Sequence, residues 1–156
     1  MNNYIKKLTI TLMISVLIIL QFMPTTAHAA DFSATASSTS IYVGETVTVT
    51  VKYSGSNVHG AQAEFSSSDS SILKYTGDTH KNGVINIYDL EKPIPNITVN
   101  LKFTALKPGK STININTKVF MGRDEDGNNV LLGEPEKDIL ITVKEKTKPT
   151  PTPKPT

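Results

Sequence analysis

Between Thr46 and Tyr53 the chain reads TVTVTVKY, with Val47, Val49, Val51 and Tyr53 at every second position and Thr46, Thr48, Thr50 and Lys52 in the gaps. Successive side chains of an extended strand point to opposite faces, so a period of two makes a ribbon with one apolar and one polar side. All of these residues but Lys52 are β-branched or aromatic, shapes that suit a pleated surface. The run reaches back to Ile41-Tyr42-Val43, and Gly44 supplies a turn into it. Such a strand cannot cover its own apolar side, so the rest of the chain must provide a second sheet.

The rest of the chain supplies strands. Phe32 to Ser40 reads as a polar first edge strand and Val58 to Phe65 as another, with Ala61, Ala63 and Phe65 on one face and Gln62 and Glu64 on the other. Ile72 to Tyr75 is short and apolar. Gly83 to Asp89 alternates less cleanly, and Pro93 and Pro95 interrupt any ladder after it. Ile97, Val99, Leu101 and Phe103 alternate through Asn96 to Ala105. A Pro108-Gly109 turn leads into Ser111 to Phe120, where Ile113, Ile115 and Val119 are expected to share one face. Asp124 to Asn129 is a tight turn, Val130 to Leu132 returns from it, and Asp138 to Lys144 closes the domain with Ile139, Ile141 and Val143. About eight or nine short strands with turn signals at regular steps, and no helical pattern, predict an all-β, antiparallel two-sheet β-sandwich. The pattern leaves jelly-roll and immunoglobulin-like topologies both open.

The ends differ from the middle. Lys6 and Lys7 precede an almost wholly apolar Leu8 to Phe22, and Ala27-His28-Ala29 offers a small-x-small cleavage pattern. Residues 1–29 therefore read as a secretory signal peptide; the apolar stretch is short for a retained membrane anchor, which needs about 20 residues. Residues 30–145 form the sandwich, and residues 146–156, KTKPTPTPKPT, a Pro/Thr linker that favours an extended, semi-rigid conformation. A linker at this point is expected to lead to something beyond it. The expected address is extracellular, free or at the cell surface.

Charge and cysteine narrow the chemistry. The full chain has 16 basic and 14 acidic residues. Loss of Lys6 and Lys7 with the signal brings the balance to zero, and leaving aside Lys146, Lys148 and Lys154 of the linker makes the sandwich net acidic. No basic field for nucleic acid is present. The absence of cysteine excludes thiol catalysis and thiolate metal sites. In Asp124-Glu125-Asp126-Gly127-Asn128 the glycine comes fourth rather than sixth and Pro135 stands at the twelfth position, so the segment reads as a hairpin turn rather than a calcium loop. His59 and His80 read as surface histidines, since nothing arranges a carboxylate and a hydroxyl about either. No spacing selects a catalytic pair among Glu64, Asp69, Asp78 and Asp89. Tyr42, Tyr75 and Tyr88 are the only aromatics free to stack on sugar, and Asn96-Ile97-Thr98, a glycosylation pattern, reads as a strand start.

The succession of segments resembles the cohesin module of bacterial cellulosome scaffoldins. The resemblance rests on VGETVTVTVKY (Val43 to Tyr53), on GAQAEF (Gly60 to Phe65) followed by DSSIL (Asp69 to Leu73), on LKFTALKPGKSTINI (Leu101 to Ile115), and on the closing pair from Lys118 to Val143 around an acidic-Gly turn. It covers about Ser40 to Lys144 and implies a nine-stranded jelly roll without enzymatic activity or cofactor. It also implies a dockerin-bearing partner, such as a glycoside hydrolase of a polysaccharide-degrading assembly. The family's outward polar pair on the third strand falls on Gln62 and Glu64. The rival expectations are a carbohydrate-binding module binding polysaccharide and a plain immunoglobulin-like surface spacer. An exposed row of Tyr would favour the first rival, and an outer face of only Ser, Thr and Lys the second. If the leader is removed as expected, N-terminal sequencing of the chain exported by a secretion-competent host will begin at Ala30; a product that retains Lys6 and Lys7 would contradict it.

Overall fold

The computed structural model describes residues 30–146; the predicted leader and the linker beyond Lys146 lie outside the described residues. Ten strands make two sheets. In chain order they are β1 (Asp31–Ala36), β2 (Ser40–Tyr42), β3 (Thr46–Ser54), β4 (Val58–Ser67), β5 (Leu73–Tyr75), β6 (Val84–Tyr88), β7 (Asn96–Ala105), β8 (Gly109–Arg123), β9 (Asn129–Gly133) and β10 (Glu136–Lys144). One sheet has the order β1-β3-β7-β5, and the other β2-β10-β8-β4-β6 with β9 hairpinned onto β8. Every pairing is antiparallel except β2 with β10, which is parallel.

The two-sheet sandwich expected from alternation is present, with ten strands in place of eight or nine. The extra strand comes from division of the Ile41–Tyr53 run. Gly44 adopts φ 88°, a left-handed turn that only glycine takes without strain. The chain turns there, so Ile41 pairs with Val143 in one sheet while Val47 pairs with Phe103 in the other. A continuous period of two thus serves two sheets.

The core follows the predicted faces closely. Val47, Val49, Val51 and Tyr53 of β3 and Leu101 and Phe103 of β7 are fully buried, opposite Ala61, Ala63 and Phe65 of β4 and Ile113 and Ile115 of β8. Among the described residues, every buried apolar side chain lies between Ala34 and Val143 in one core cluster. Aromatic contacts join the layers at both ends: Tyr53 of β3 to Phe120 of β8 at 5.1 Å between ring centres, and Phe65 of β4 to Phe103 of β7 at 6.2 Å. Both pairs are tilted or edge-on, the arrangement that ring quadrupoles favour. The buried Tyr53 hydroxyl lies 2.9 Å from the Thr117 hydroxyl. Burial pushes the Tyr53 phenol above its ordinary value although that bond opposes the shift.

Two expectations fail at bulges. Val119 does not share the face of Ile113 and Ile115. Gln62 pairs with Val119 and Ala63 with Thr117, which leaves Lys118 as an extra residue. One extra residue reverses the side-chain alternation, so Val119 turns outward and Phe120 inward. A second irregularity sits between Val58 and Gly60 of β4. His59 occupies it and is buried, 4% exposed, rather than at the surface as expected. Its ring Nδ1 lies 2.8 Å from the Asp89 carbonyl oxygen, and its own carbonyl accepts the Asp89 N–H at 2.9 Å. His80 is the reverse of an ordinary loop residue: φ is 57° and its Nδ1 lies 3.1 Å from the Val84 carbonyl oxygen.

Tyr53→Phe removes the buried partner of the Thr117 hydroxyl and is expected to lower unfolding stability by about 1–3 kcal/mol in denaturant titrations. Tyr53→Phe/Thr117→Val, which removes both polar groups, should recover much of that loss.

Candidate functional site: the outer face of the larger sheet

The two outer faces of the sandwich are chemically different, and the difference follows from which residues fill the outward positions. On the four-stranded sheet they are Thr46, Thr48, Thr50 and Lys52 of β3, Thr98, Asn100, Lys102 and Thr104 of β7, and Lys74 of β5. Some of these side chains bond across the strands: Thr50 donates to Asn100 at 2.9 Å, and the Thr76 and Thr104 hydroxyls lie 2.9 Å apart. Such a face is polar throughout.

The larger sheet presents a mixed face. Gln62 of β4 lies between Asn86 of β6 and Val119 of β8. One row away, Gly60 lies between Tyr88 and Met121, and Met121 pairs with Leu131 of β9. Tyr88 is 39% and Leu131 61% exposed. Gly60 has a specific role: a Cβ there would collide with the Tyr88 ring and approach the Ile87 carbonyl, so the missing side chain lets the ring lie across β4. The Tyr88 hydroxyl thereby comes within 3.5 Å of the Gln62 side-chain oxygen, at the outer limit of a hydrogen bond. Partial burial raises the Tyr88 phenol above its ordinary value. The β8 bulge contributes twice, since it turns Val119 outward and lets Lys118 reach Glu64 at 3.4 Å. Sequence reasoning placed Gln62 and Glu64 on this face; it missed Val119 and Met121, whose orientation depends on the bulge.

Beyond Glu64 the face becomes a polar groove of about 440 Å³ lined by Glu64, Ser66, Asn82, Val84, Asn114 and Asn116. Asn114 donates to Asp138 at 2.7 Å on its far side. Among the described residues there is no group of three or more His, Asp or Glu side chains placed to hold a metal ion. The four carboxylates weighed for catalysis sit on four different segments: Glu64 on β4, Asp89 at the turn after β6, Asp69 at the turn before β5, and Asp78 in the loop between β5 and β6. Asp124 caps the β8–β9 turn, where its carboxylate accepts the Asp126 and Asn128 N–H groups at 3.0 and 2.8 Å, the arrangement of a hairpin turn. Tyr42 and Tyr88 stand on the two opposite edges of the larger sheet, and Tyr75 packs on Phe65 and Phe103, so the three tyrosines do not form a row.

No family model matches the chain, and no curated protein matches it. Solved structures do. A type II cohesin domain from the cellulosome of Acetivibrio cellulolyticus superposes with a TM-score of 0.51 at 18% identity, over 72% of this chain and 95% of that one. The CaDoc0917–CaCohA2 complex contains a chain that matches with a TM-score of 0.50 at 18% identity, over 74% of this chain and all of that one. The type II cohesin dyad from the adaptor ScaA scaffoldin of Acetivibrio cellulolyticus matches with a TM-score of 0.50 at 16% identity, over 70% of this chain and 47% of that one. At these identities the likeness is one of fold, and the fold is a cohesin-like β-sandwich.

The turn-capping carboxylates generate a pH prediction. Bonds from Ser71, and from the backbone of Glu91, Lys92 and Asn128, hold Asp69, Asp89 and Asp124 below the ordinary carboxylate value. A carboxyl depressed in the folded state stabilises fully above its unfolded value, and that contribution is lost as pH falls through the folded value. Thermal unfolding followed by circular dichroism should therefore move to lower temperature below about pH 4. Asp124→Asn should lie below the parent at neutral pH and flatten this acid-side fall.

Proposed function

We propose that the chain is a secreted, non-catalytic docking module that binds a dockerin-like partner module in an extracellular, polysaccharide-degrading or cell-surface assembly. The observation that carries this reading is the asymmetry of the two outer faces. A plain spacer has no use for exposed Tyr88 and Leu131 flanking half-buried Val119 and Met121 beside Gln62 and Glu64, whereas a docking face needs apolar contacts that exclude water around a few polar groups. The shared fold supports the reading, since one of the solved matches is a cohesin held in a dockerin complex. Gln62 and Glu64 are the polar centre. Gln62 offers a donor and an acceptor free of strong internal bonds, and Glu64 is held by an exposed ion pair worth little on its own. Both can exchange their present contacts for a partner at small cost. The absence of a tyrosine row weighs against a flat sugar-binding strip.

The test is capture of partners from the secreted proteins of the source organism by immobilised residues 30–146, with Gln62→Ala/Glu64→Ala in parallel. Expected is an enzyme bearing a dockerin, identified by mass spectrometry, with retention reduced roughly tenfold or more by the double substitution, since hot-spot truncations cost about 2 kcal/mol or more. Retention of the module on an insoluble glycan with no protein captured would move it to the carbohydrate-binding class.

A further inference from the structure

The larger sheet ends at β6, whose only strand partner among the described residues is β4. In an antiparallel pair the backbone groups of alternate residues point toward the partner, and those of the residues between point away. Ile85 and Ile87 are opposite Ala63 and Ala61; the Gly83 carbonyl accepts the Phe65 N–H at 2.8 Å, and the Asp89 N–H donates to His59 at 2.9 Å. Residues 83, 85, 87 and 89 are therefore bonded toward β4, and the backbone of Val84, Asn86 and Tyr88 faces away from it. Val84 is already satisfied: its N–H donates to the Asn82 side-chain oxygen at 3.3 Å, and its carbonyl meets the His80 ring at 3.1 Å. The N–H and C=O groups of Asn86 and Tyr88 have no partner among the described residues.

This edge is not blunted. Val84 to Tyr88 (VINIY) contains no charge and no proline, the usual protections of an end strand. By contrast, β5 is three residues long and carries Lys74, and β2 is also only three residues long.

We infer that the free edge of β6 pairs antiparallel with the β6 edge of a second copy of this chain, with Asn86 opposite Tyr88 of the partner subunit. The register follows from which groups are free. A two-fold axis at Asn86 would set Tyr88 against the Val84 groups that Asn82 and His80 already occupy. An axis at Ile87 sets Asn86 against Tyr88 twice, and four hydrogen bonds consume every free N–H and C=O on both edges. The same register places the two Ile87 side chains directly opposite each other, which covers two half-buried apolar groups at the rim of the core. It sets Asp89 against Ile85, so no like charges are opposed. An unrelated extended peptide could meet the backbone groups, but a second copy also supplies the matching Ile87 and an uncharged strand. The contact uses the strand edge rather than the outer face, so it stands or falls independently of the docking reading.

The test is sedimentation velocity of residues 30–146 from micromolar to millimolar concentration, with amide hydrogen exchange followed by NMR. A concentration-dependent dimer is expected, in which exchange of the Asn86 and Tyr88 amides slows roughly tenfold or more as the dimer fills. Asn86→Pro, which removes an N–H that β4 does not use, should leave a folded monomer. The chain has no cysteine, so Ile87→Cys provides a direct geometric check: the opposed Cα atoms of a non-hydrogen-bonded pair lie about 4.5 Å apart, within disulfide range. Mild oxidation should give a covalent dimer of Ile87→Cys but not of Lys110→Cys. A monomer at every concentration, or a dimer in which the Asn86 and Tyr88 amides exchange as fast as in the monomer, overturns the proposal.

Discussion

The mutual burial of two apolar sheet faces is the interaction on which everything else in this molecule depends. Among the described residues no helix covers either sheet, and the chain contains no cysteine to form a disulfide. The valines and Tyr53 of β3 leave water only because Ala61, Ala63 and Phe65 of β4, with Ile113 and Ile115 of β8, come down on them. Tyr53 shows the cost of that closure. Its ring fills the end of the core between Phe32 and Phe120, and its hydroxyl has to take Thr117 as partner because no water reaches it.

Once the inner faces are committed, alternation hands the outer faces whatever the intervening positions hold. On β3 and β7 those positions are Thr, Asn and Lys, a uniformly polar set in which Thr50 bonds to Asn100 and Thr46 to Thr104 across the strands. On β4, β6, β8 and β9 they are Gln62, Glu64, Tyr88, Val119, Met121 and Leu131. A cross-strand collision that Gly60 avoids, and a register shift at Lys118, bring these six together. The mixed outer face is thus a by-product of core packing modified at two points of β4 and β8, on a sheet rather than a loop.

Much of this is legible in the residues. Strong alternation located β7 at Asn96 to Ala105 to the residue and the inward set of β3 without error, because a half-buried strand tolerates no other pattern. Gln62 and Glu64 were placeable opposite Phe65 for the same reason. His59 shares the parity of Ala61, Ala63 and Phe65, so alternation by itself points it inward; Val119 was misread for a different reason. A bulge adds a residue without any local signature in the side chains, and parity beyond it reverses. The division of Ile41 to Tyr53 between two sheets was also hidden. Gly44 marked a turn, but a turn does not say whether the chain returns to the same sheet or crosses to the other.

Side-chain periodicity acts at every position, so composition and alternation alone were enough to make this chain a cysteine-free, all-β sandwich and to sort most of its residues into inner and outer sets. Outside the β8–β9 hairpin, strand pairing joins residues 13 to 102 positions apart, and no local pattern encodes it. The parallel β2–β10 pair, the bulges at His59 and Lys118, the capture of Val84 by His80 and Asn82, and the free Asn86–Tyr88 edge exist only once distant strands have chosen partners. The outward placement of Gln62 and Glu64 could be read from the chain. The apolar ring around them, and the open strand beside it, were decided by the packing of the sheets.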